Sequence, residues 1–87
     1  MKADRRTIER KLKTARGQID GLLKMVEEDR YCIDISNQLM ATQAILKRVN
    51  AEILQGHLEH CVMEAFEEGD QKEKIREIMV LMDKLNK

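Results

Sequence analysis

Two stretches of the chain repeat apolar positions at alternating steps of four and three. The first series comprises Ile8, Leu12, Ala15, Ile19, Leu22 and Val26, and the second comprises Ile35, Leu39, Thr42, Leu46, Val49 and Ile53. These steps keep side chains on one face of an α-helix that packs at a shallow angle against a neighbour. The pattern predicts a helix over about 5–28 and a longer one over about 32–64.

Polar residues and a glycine mark the predicted helix boundaries. The segment 27–30 reads Glu-Glu-Asp-Arg and predicts a connection, in which Asp29 caps the helix that follows. The segment 67–70 contains Gly69 and predicts the end of the second helix. A third helix over about 72–86 is marked by Ile75, Ile78, Met79, Met82 and Leu85. The chain is therefore expected to be all-α, a single helical domain over 1–87.

Composition favours self-association of this small domain. The 87 residues are 37% charged and 43% hydrophobic, with no proline, no tryptophan and 2% aromatic residues. A domain this short buries only about 60% of its unfolded surface, so narrow Leu, Ile, Met and Val stripes usually pack against another copy. Gly17 and Gly21, one turn apart in the first helix, are expected to allow a close neighbour.

The chain lacks the features of membrane and secreted proteins. No apolar run approaches the roughly 20 residues of a membrane-spanning helix. The amino-terminal residues lead directly into charged amphipathic sequence, without the apolar stretch of a secretory leader. We therefore expect a cytoplasmic protein.

The formal net charge of zero conceals a gradient along the chain. Residues 1–16 hold seven basic and two acidic residues, whereas residues 52–87 hold five basic and nine acidic residues. A basic amino-terminal face suits a polyanion such as DNA, although solvated helices often carry similar charge.

The spacing of cysteine and histidine is the most informative chemical feature. His57 and Cys61 are four residues apart, which places them about 40° apart on one helix face, whereas His60 lies about 100° from Cys61. Cys32 precedes His57 by 25 residues, or ~38 Å along a continuous helix. No single ion can bridge that distance within one chain.

The distance between Cys32 and His57 is no obstacle if the second helices of two chains pack antiparallel. With the twofold axis near Ile45 and Leu46, Cys32 of one chain comes beside His57 and Cys61 of the other. Two identical sites result, one per chain, each with two thiolates and one imidazole from two subunits. This soft three-donor set suits Cu(I) better than zinc, which usually takes a fourth ligand.

Two other interpretations of these residues remain open. Cysteines on apolar stripes are commonly small buried residues, and histidines near helix ends commonly cap or lie at the surface. The dimer would also bring Cys32 and Cys61 of different chains together, which allows reversible oxidation or persulfide chemistry. A structural disulfide is disfavoured in the cytoplasm.

An enzyme is not expected, since no set of nucleophile, base and orienting group is found.

Several motifs together resemble one family. Gly17-Gln18 followed by Gly21, the run from Met25 to Asp34 (MVEEDRYCID), Gln38, and residues 57–62 (HLEHCV) are similar to the CsoR/RcnR/FrmR family of bacterial metal-responsive repressors. The resemblance covers nearly the whole chain. It implies an antiparallel four-helix-bundle dimer with a short third helix in each chain, assembling into a homotetramer as a dimer of dimers.

The resemblance implies roles for individual residues. Cys32, His57 and Cys61 match the Cu(I) ligands of the copper sensors, with Cys32 donated across the dimer. Tyr31 and Glu77 match the outer pair that links the ligand histidine to the third helix. The persulfide-sensing branch lacks the histidine, the nickel and cobalt branch uses an amino-terminal histidine absent here, and formaldehyde sensors match Cys32 but not Cys61. The copper branch is the best match.

The implied function is a Cu(I)-responsive repressor: the metal-free tetramer binds operator DNA, and Cu(I) releases it, so that copper-resistance or efflux genes are expressed. Relatives often carry an arginine shortly before the Gly-Gln pair, where this chain has Lys13-Thr14-Ala15-Arg16. The alternatives are a persulfide-sensing or aldehyde-sensing repressor of the same family and a copper-handling protein without DNA function. The candidate DNA contacts are Arg10, Lys11, Lys13, Arg16, Lys47 and Arg48.

Overall fold

The computed structural model describes the backbone of residues 1–68 and 71–85 and the side chains of residues 1–64 and 72–84. Three helices follow one another: α1 (Arg5–Glu27), α2 (Cys32–Glu68) and α3 (Gln71–Leu85). The all-α prediction is confirmed, and α2 extends four residues further than predicted. Gly69, the predicted stop, lies outside the described residues. None of the described helices has both the length and the apolarity needed to cross a bilayer.

Residues 6–49 form one compact unit, made of α1 and the first half of α2. Ile8 and Ala15 of α1 are buried, and so are Thr42 and Val49 of α2. Thr42 Oγ1 donates a hydrogen bond of 2.8 Å to Gln18 Oε1 and so joins the two helices. The buried residues on each helix are seven positions apart, and one heptad position therefore forms the interior of this unit.

The other apolar position of each heptad is left on the surface. Leu12, Ile19 and Val26 of α1 and Leu39 and Leu46 of α2 are 42–62% exposed, and we call these five residues the outward stripe. Each apolar series in the sequence thus separates into an internal half and an external half. Exposed large apolar side chains repeated along a helix face are typical of an interaction site.

Residues 1–5 and 50–87 form the second compact unit, made of the amino-terminal segment, the second half of α2, and α3. Cys61 and Leu81 are its buried residues in the described part of the chain. A Cβ atom at Gly56 would lie 2.9 Å from the backbone nitrogen of Ala3, so glycine lets the amino-terminal segment approach α2 closely. Gly17 and Gly21 were also expected to allow a close neighbour. No described part of the same chain comes within 4 Å of a Cβ at either, and a close approach by a second copy there stays a prediction.

The predicted role of Asp29 is also wrong. Asp29 adopts a left-handed conformation with φ of 53°, its amide donates to the Val26 carbonyl, and the Arg30 amide donates to the Met25 carbonyl. These two bonds form a Schellman motif, which satisfies the last carbonyls of a helix. Asp29 therefore ends α1 and does not cap α2, because aspartate tolerates the left-handed region better than most residues with a side chain.

The conformation of Asp29 leads to a prediction about stability. Asp29→Val should lower the free energy of unfolding by about 1–2 kcal/mol, because a β-branched residue is strained at positive φ. Asp29→Gly should not lower it by a comparable amount, since glycine adopts this conformation without strain. Urea unfolding of the wild-type, valine and glycine proteins, all at the same protein concentration, measures both effects. Equal stability of the valine and wild-type proteins would contradict the role assigned to Asp29.

Candidate metal centre

Three potential ligands meet between α2 and α3. His57 and Cys61 lie one turn apart on α2, and Glu77 reaches them from α3. One ligand atom from each residue lies within 4.8 Å of the other two. The His57 Nε2 to Glu77 Oε1 distance is 2.6 Å, a hydrogen bond that joins the two helices. The spacing of four residues in sequence is what aligns the imidazole and the thiol on one face of α2.

Burial and hydrogen bonding set the charges in this cluster. Cys61 is 1% exposed, and this burial, together with the hydrogen bond to Glu77 and the negative charge of Glu77, raises the pKa of the thiol. Hydrogen bonds from His57 and then from Cys61 lower the pKa of Glu77. The cluster therefore consists of a neutral thiol and an imidazole that both hydrogen-bond to an ionised carboxylate. A metal ion would bind here by displacing the thiol proton, since the thiolate is the ligand form of cysteine.

The donor set suits a transition metal. Cysteine sulfur selects soft ions, imidazole suits copper, zinc and nickel, and a carboxylate can either coordinate or hold the imidazole in position. Within one chain, His57 and Cys61 bring an imidazole nitrogen and a sulfur within 4.8 Å of each other, and Cys61 is buried. The second thiolate that the sequence predicts for a Cu(I) site is not among the groups that meet here.

The remaining predicted site residues lie away from this cluster in the chain. Cys32 is exposed at the first position of α2, 25 residues before His57 on the same helix. Tyr31, immediately before it, is 65% exposed. The structure of one chain thus brings His57 and Cys61 together with Glu77, and it does not bring Cys32 or Tyr31 to them. The roles of Cys32 and Tyr31 stay predictions.

A second polar group lies beside the cluster and was not predicted. Lys74 Nζ is 2.6 Å from Glu64 Oε2, and His60 Nε2 is 2.5 Å from Glu64 Oε1. The hydrogen bond between Lys74 and Glu64 lowers the pKa of the carboxyl and raises that of the ammonium, so both groups stay charged. The available sequence signal was that Glu64 follows Cys61 by three positions and Lys74 precedes Glu77 by three.

Basic residues line two depressions on the α1–α2 unit. The larger, with a volume of about 460 Å³, is lined by Arg6, Glu9, Arg10, Lys13 and Thr14. The smaller, of about 90 Å³, is lined by Lys11, Thr14, Ile45 and Arg48. Four of the six predicted DNA contacts therefore line these depressions, whereas Arg16 and Lys47 are exposed and line neither. Arg6 was not among the predicted contacts.

Comparisons with known proteins agree with this architecture. The model of the metal-sensitive transcriptional repressor family matches residues 4–84. A copper-sensing transcriptional repressor CsoR from Bacillus subtilis is 41% identical over 80 residues, which cover 92% of this chain and 79% of that protein. Mycobacterial relatives are longer, and the chain spans 59% and 65% of two of them.

Two solved structures share the fold. The nickel-responsive regulator InrS matches with a TM-score of 0.86 at 27% identity, over 98% of this chain and 96% of that one. The Cu(I) complex of the copper-sensing repressor CsoR from Geobacillus thermodenitrificans matches with a TM-score of 0.78 at 41% identity, over 94% of this chain and 85% of that one. The predicted resemblance is confirmed by both kinds of comparison, and the family is one of transcriptional repressors and not of enzymes. On its sequence and on its fold, this chain belongs to the family of metal-sensitive transcriptional repressors.

Proposed function

We propose that this protein is a Cu(I)-responsive transcriptional repressor whose metal-free form binds operator DNA and whose copper-bound form releases it. The observation that carries the proposal is the pairing of His57 with the buried Cys61, one turn apart on α2 and held by Glu77. The relatives from Bacillus and Geobacillus, both 41% identical, are copper-sensing repressors. A nickel-responsive relative is less similar in sequence, at 27% identity.

The proposed site is completed by a second copy of the chain. The outward stripe supplies the apolar surface for an antiparallel dimer, in which Cys32 of the partner subunit joins His57 and Cys61. Cys32 is exposed at the start of α2, where such a partner would meet it. Each Cu(I) ion then bridges two subunits, with one ion per chain. Tyr31, next to Cys32, would arrive with it and contact the imidazole from outside.

A further apolar surface supports pairing of dimers into a tetramer. Ile75, Met79 and Met82 are more than half exposed and are spaced at i, i+4 and i+7 along α3. This spacing aligns them on one face of the helix. We assign that face to the contact between two dimers.

Operator DNA is assigned to the basic depressions. Arginine and lysine side chains around Thr14 offer phosphate contacts on both sides of it, from Arg10 and Lys13 in one depression and from Lys11 and Arg48 in the other. Phosphate contacts of this kind make affinity fall steeply with salt. A repressor with this function acts in the cytoplasm, where the operator is.

Buried Cys61 argues against sensing of sulfur species by a pair of thiols. Such chemistry requires an accessible thiolate. Cys61 is 1% exposed, and its pKa is raised by burial and by Glu77, so the thiol is neutral and shielded. A metal ion can still displace the proton, because coordination supplies the energy that deprotonation costs.

The test is an anaerobic Cu(I) titration of reduced protein bound to fluorescent DNA from its own promoter, with a competing chelator present. We expect anisotropy to fall near one Cu(I) per chain. Cys32→Ala should abolish this release, whereas Ser36→Ala, an exposed change one turn along α2, should not. Tight DNA binding that ignores copper would refute the proposal, and absence of DNA binding with tight copper binding would indicate a copper-handling protein.

A further inference from the structure

Besides the hydrogen bond of Cys61 with Glu77, two polar contacts between described residues join α2 to α3, and they lie on either side of Cys61 in sequence. One is the hydrogen bond of His57 with Glu77, and the other is the ion pair of Glu64 with Lys74. Lys74 and Glu77 lie one turn apart on α3 and so face α2 together. The first contact belongs to the candidate metal centre, whereas Glu64 and Lys74 are not among its potential ligands.

We propose that Glu64 and Lys74 are positioning residues, whose ion pair sets the rotation and register of α3 so that Glu77 stays on His57. The inference rests on the proposed function, in which Glu77 is the group that transmits copper binding at His57 to α3. Lys74 and Glu64 contact neither metal nor DNA in this scheme.

The distribution of apolar residues on α3 explains why an ion pair is needed to fix the rotation of this helix. Ile78 and Leu81 face inward, yet Ile75, Met79 and Met82 are exposed on the same short helix. Met82 lies only about 40° around the helix from Ile78, so the apolar arc of α3 is wider than the part that faces inward, and a moderate rotation of α3 would still leave apolar side chains against α2. Apolar burial therefore allows a range of orientations of α3, and directional polar contacts restrict that range.

The geometry of the ion pair is that of an ordered contact. The side chains of Lys74 and Glu64 are 21% and 29% exposed, and their 2.6 Å separation is short. His60 holds Glu64 from within α2, so the carboxylate has a fixed position. The positive charge of Lys74 also acts on Glu77 and Cys61, which raises the pKa of Lys74 further and keeps it ionised beside the cluster.

The experiment compares Lys74→Met with Lys72→Met, a matched change at an exposed position of the same helix. The measured quantity is the ratio of DNA affinities without and with saturating Cu(I). Lys74→Met should reduce this ratio by about fivefold or more, the lower end of common allosteric couplings. Copper affinity in chelator competition should change less than twofold, and Lys72→Met should match the wild type in both.

Rescue separates positioning from general loss of stability. Lys74→Arg should restore the ratio, because the charge and the reach are kept. Glu64→Gln should lower the ratio as Lys74→Met does, because the ion pair is lost while the charge of Lys74 is kept. A wild-type ratio in Glu64→Gln would overturn the proposal and assign Lys74 a direct electrostatic action on Cys61.

A readout that does not depend on copper or DNA separates this inference from the proposed function. The nitrogen NMR signals of the His57 imidazole in the metal-free protein report its hydrogen bond to Glu77. We expect them to shift in Lys74→Met and to be unchanged in Lys72→Met. If the wild-type protein does not release DNA with copper, and the His57 signals still shift in Lys74→Met, the positioning role is supported and the repressor proposal is refuted. Unchanged signals in Lys74→Met would refute the positioning role.

Discussion

Leu46→Asp is expected to dissolve the dimer into monomers. Leu46 belongs to the outward stripe, and in the antiparallel arrangement it lies near the twofold axis, so each dimer would receive two carboxylates at its centre. Truncating a buried leucine alone costs about 2–5 kcal/mol, and each dimer loses two. Two facing charges in an apolar contact add to that loss. Dissociation should also abolish copper binding between subunits, because the partner's Cys32 is no longer present.

Light scattering after size-exclusion chromatography measures this effect directly. Ala44→Asp is the matched control: it places the same charge on an exposed position of α2, about 140° around the helix from Leu39. The control should keep the wild-type mass. A Leu46→Asp protein of unchanged mass would show that the outward stripe is not the dimer contact, and it would remove the proposed source of the third ligand.

The outward stripe also shows how far the hydrophobic pattern predicts the fold. Steps of four and three predict both α1 and α2 correctly, because backbone helicity follows directly from the period. They do not predict which apolar positions are buried within the chain. Ile8 and Leu12 are equivalent in the pattern, yet one is buried and the other is 44% exposed, since the division depends on how α1 packs against α2.

The candidate site divides in the same way. The pairing of His57 with Cys61 is predicted by their separation, because both lie on one helix and the helix alone fixes their geometry. Glu77 was identified only through resemblance, and the pair of Glu64 with Lys74 was missed. Both depend on the register of α3 against α2, and the many charged residues after position 63 offer too many equally plausible pairings for sequence spacing to select one.

The prediction that Asp29 caps α2 failed for a different physical reason. An aspartate before a helix is a common N-cap, and sequence alone gives no sign that the residue is in the left-handed region. The distinction depends on backbone geometry after Glu27, where the Arg30 amide returns to the Met25 carbonyl. Glycine is the usual residue at such a position, and its absence here concealed the motif.

Cys61→Ala is expected to lose copper affinity, whereas His57→Ala is expected to lose the response of DNA binding to copper. Cys61 supplies a buried thiolate, so its loss should weaken Cu(I) binding by about two orders of magnitude or more, given the energy that each ligand contributes to a metal site. In His57→Ala, Cys61 and the partner's Cys32 still hold copper. That variant loses the link to Glu77, so copper should bind and yet leave DNA affinity almost unchanged.

These two outcomes separate metal binding from the response to it. Chelator competition gives the copper affinity, and DNA anisotropy at saturating copper gives the response, with Gln55→Ala on an exposed position of α2 as the control for both. By linkage, copper and DNA must weaken each other equally, with a coupling of about 1–3 kcal/mol in the wild type. His57→Ala should lose most of that coupling while keeping most of its copper affinity. Full copper-induced release in this variant would show that the 2.6 Å contact between His57 and Glu77 does not carry the signal, and the route would then have to run from the thiolates through the dimer contact itself.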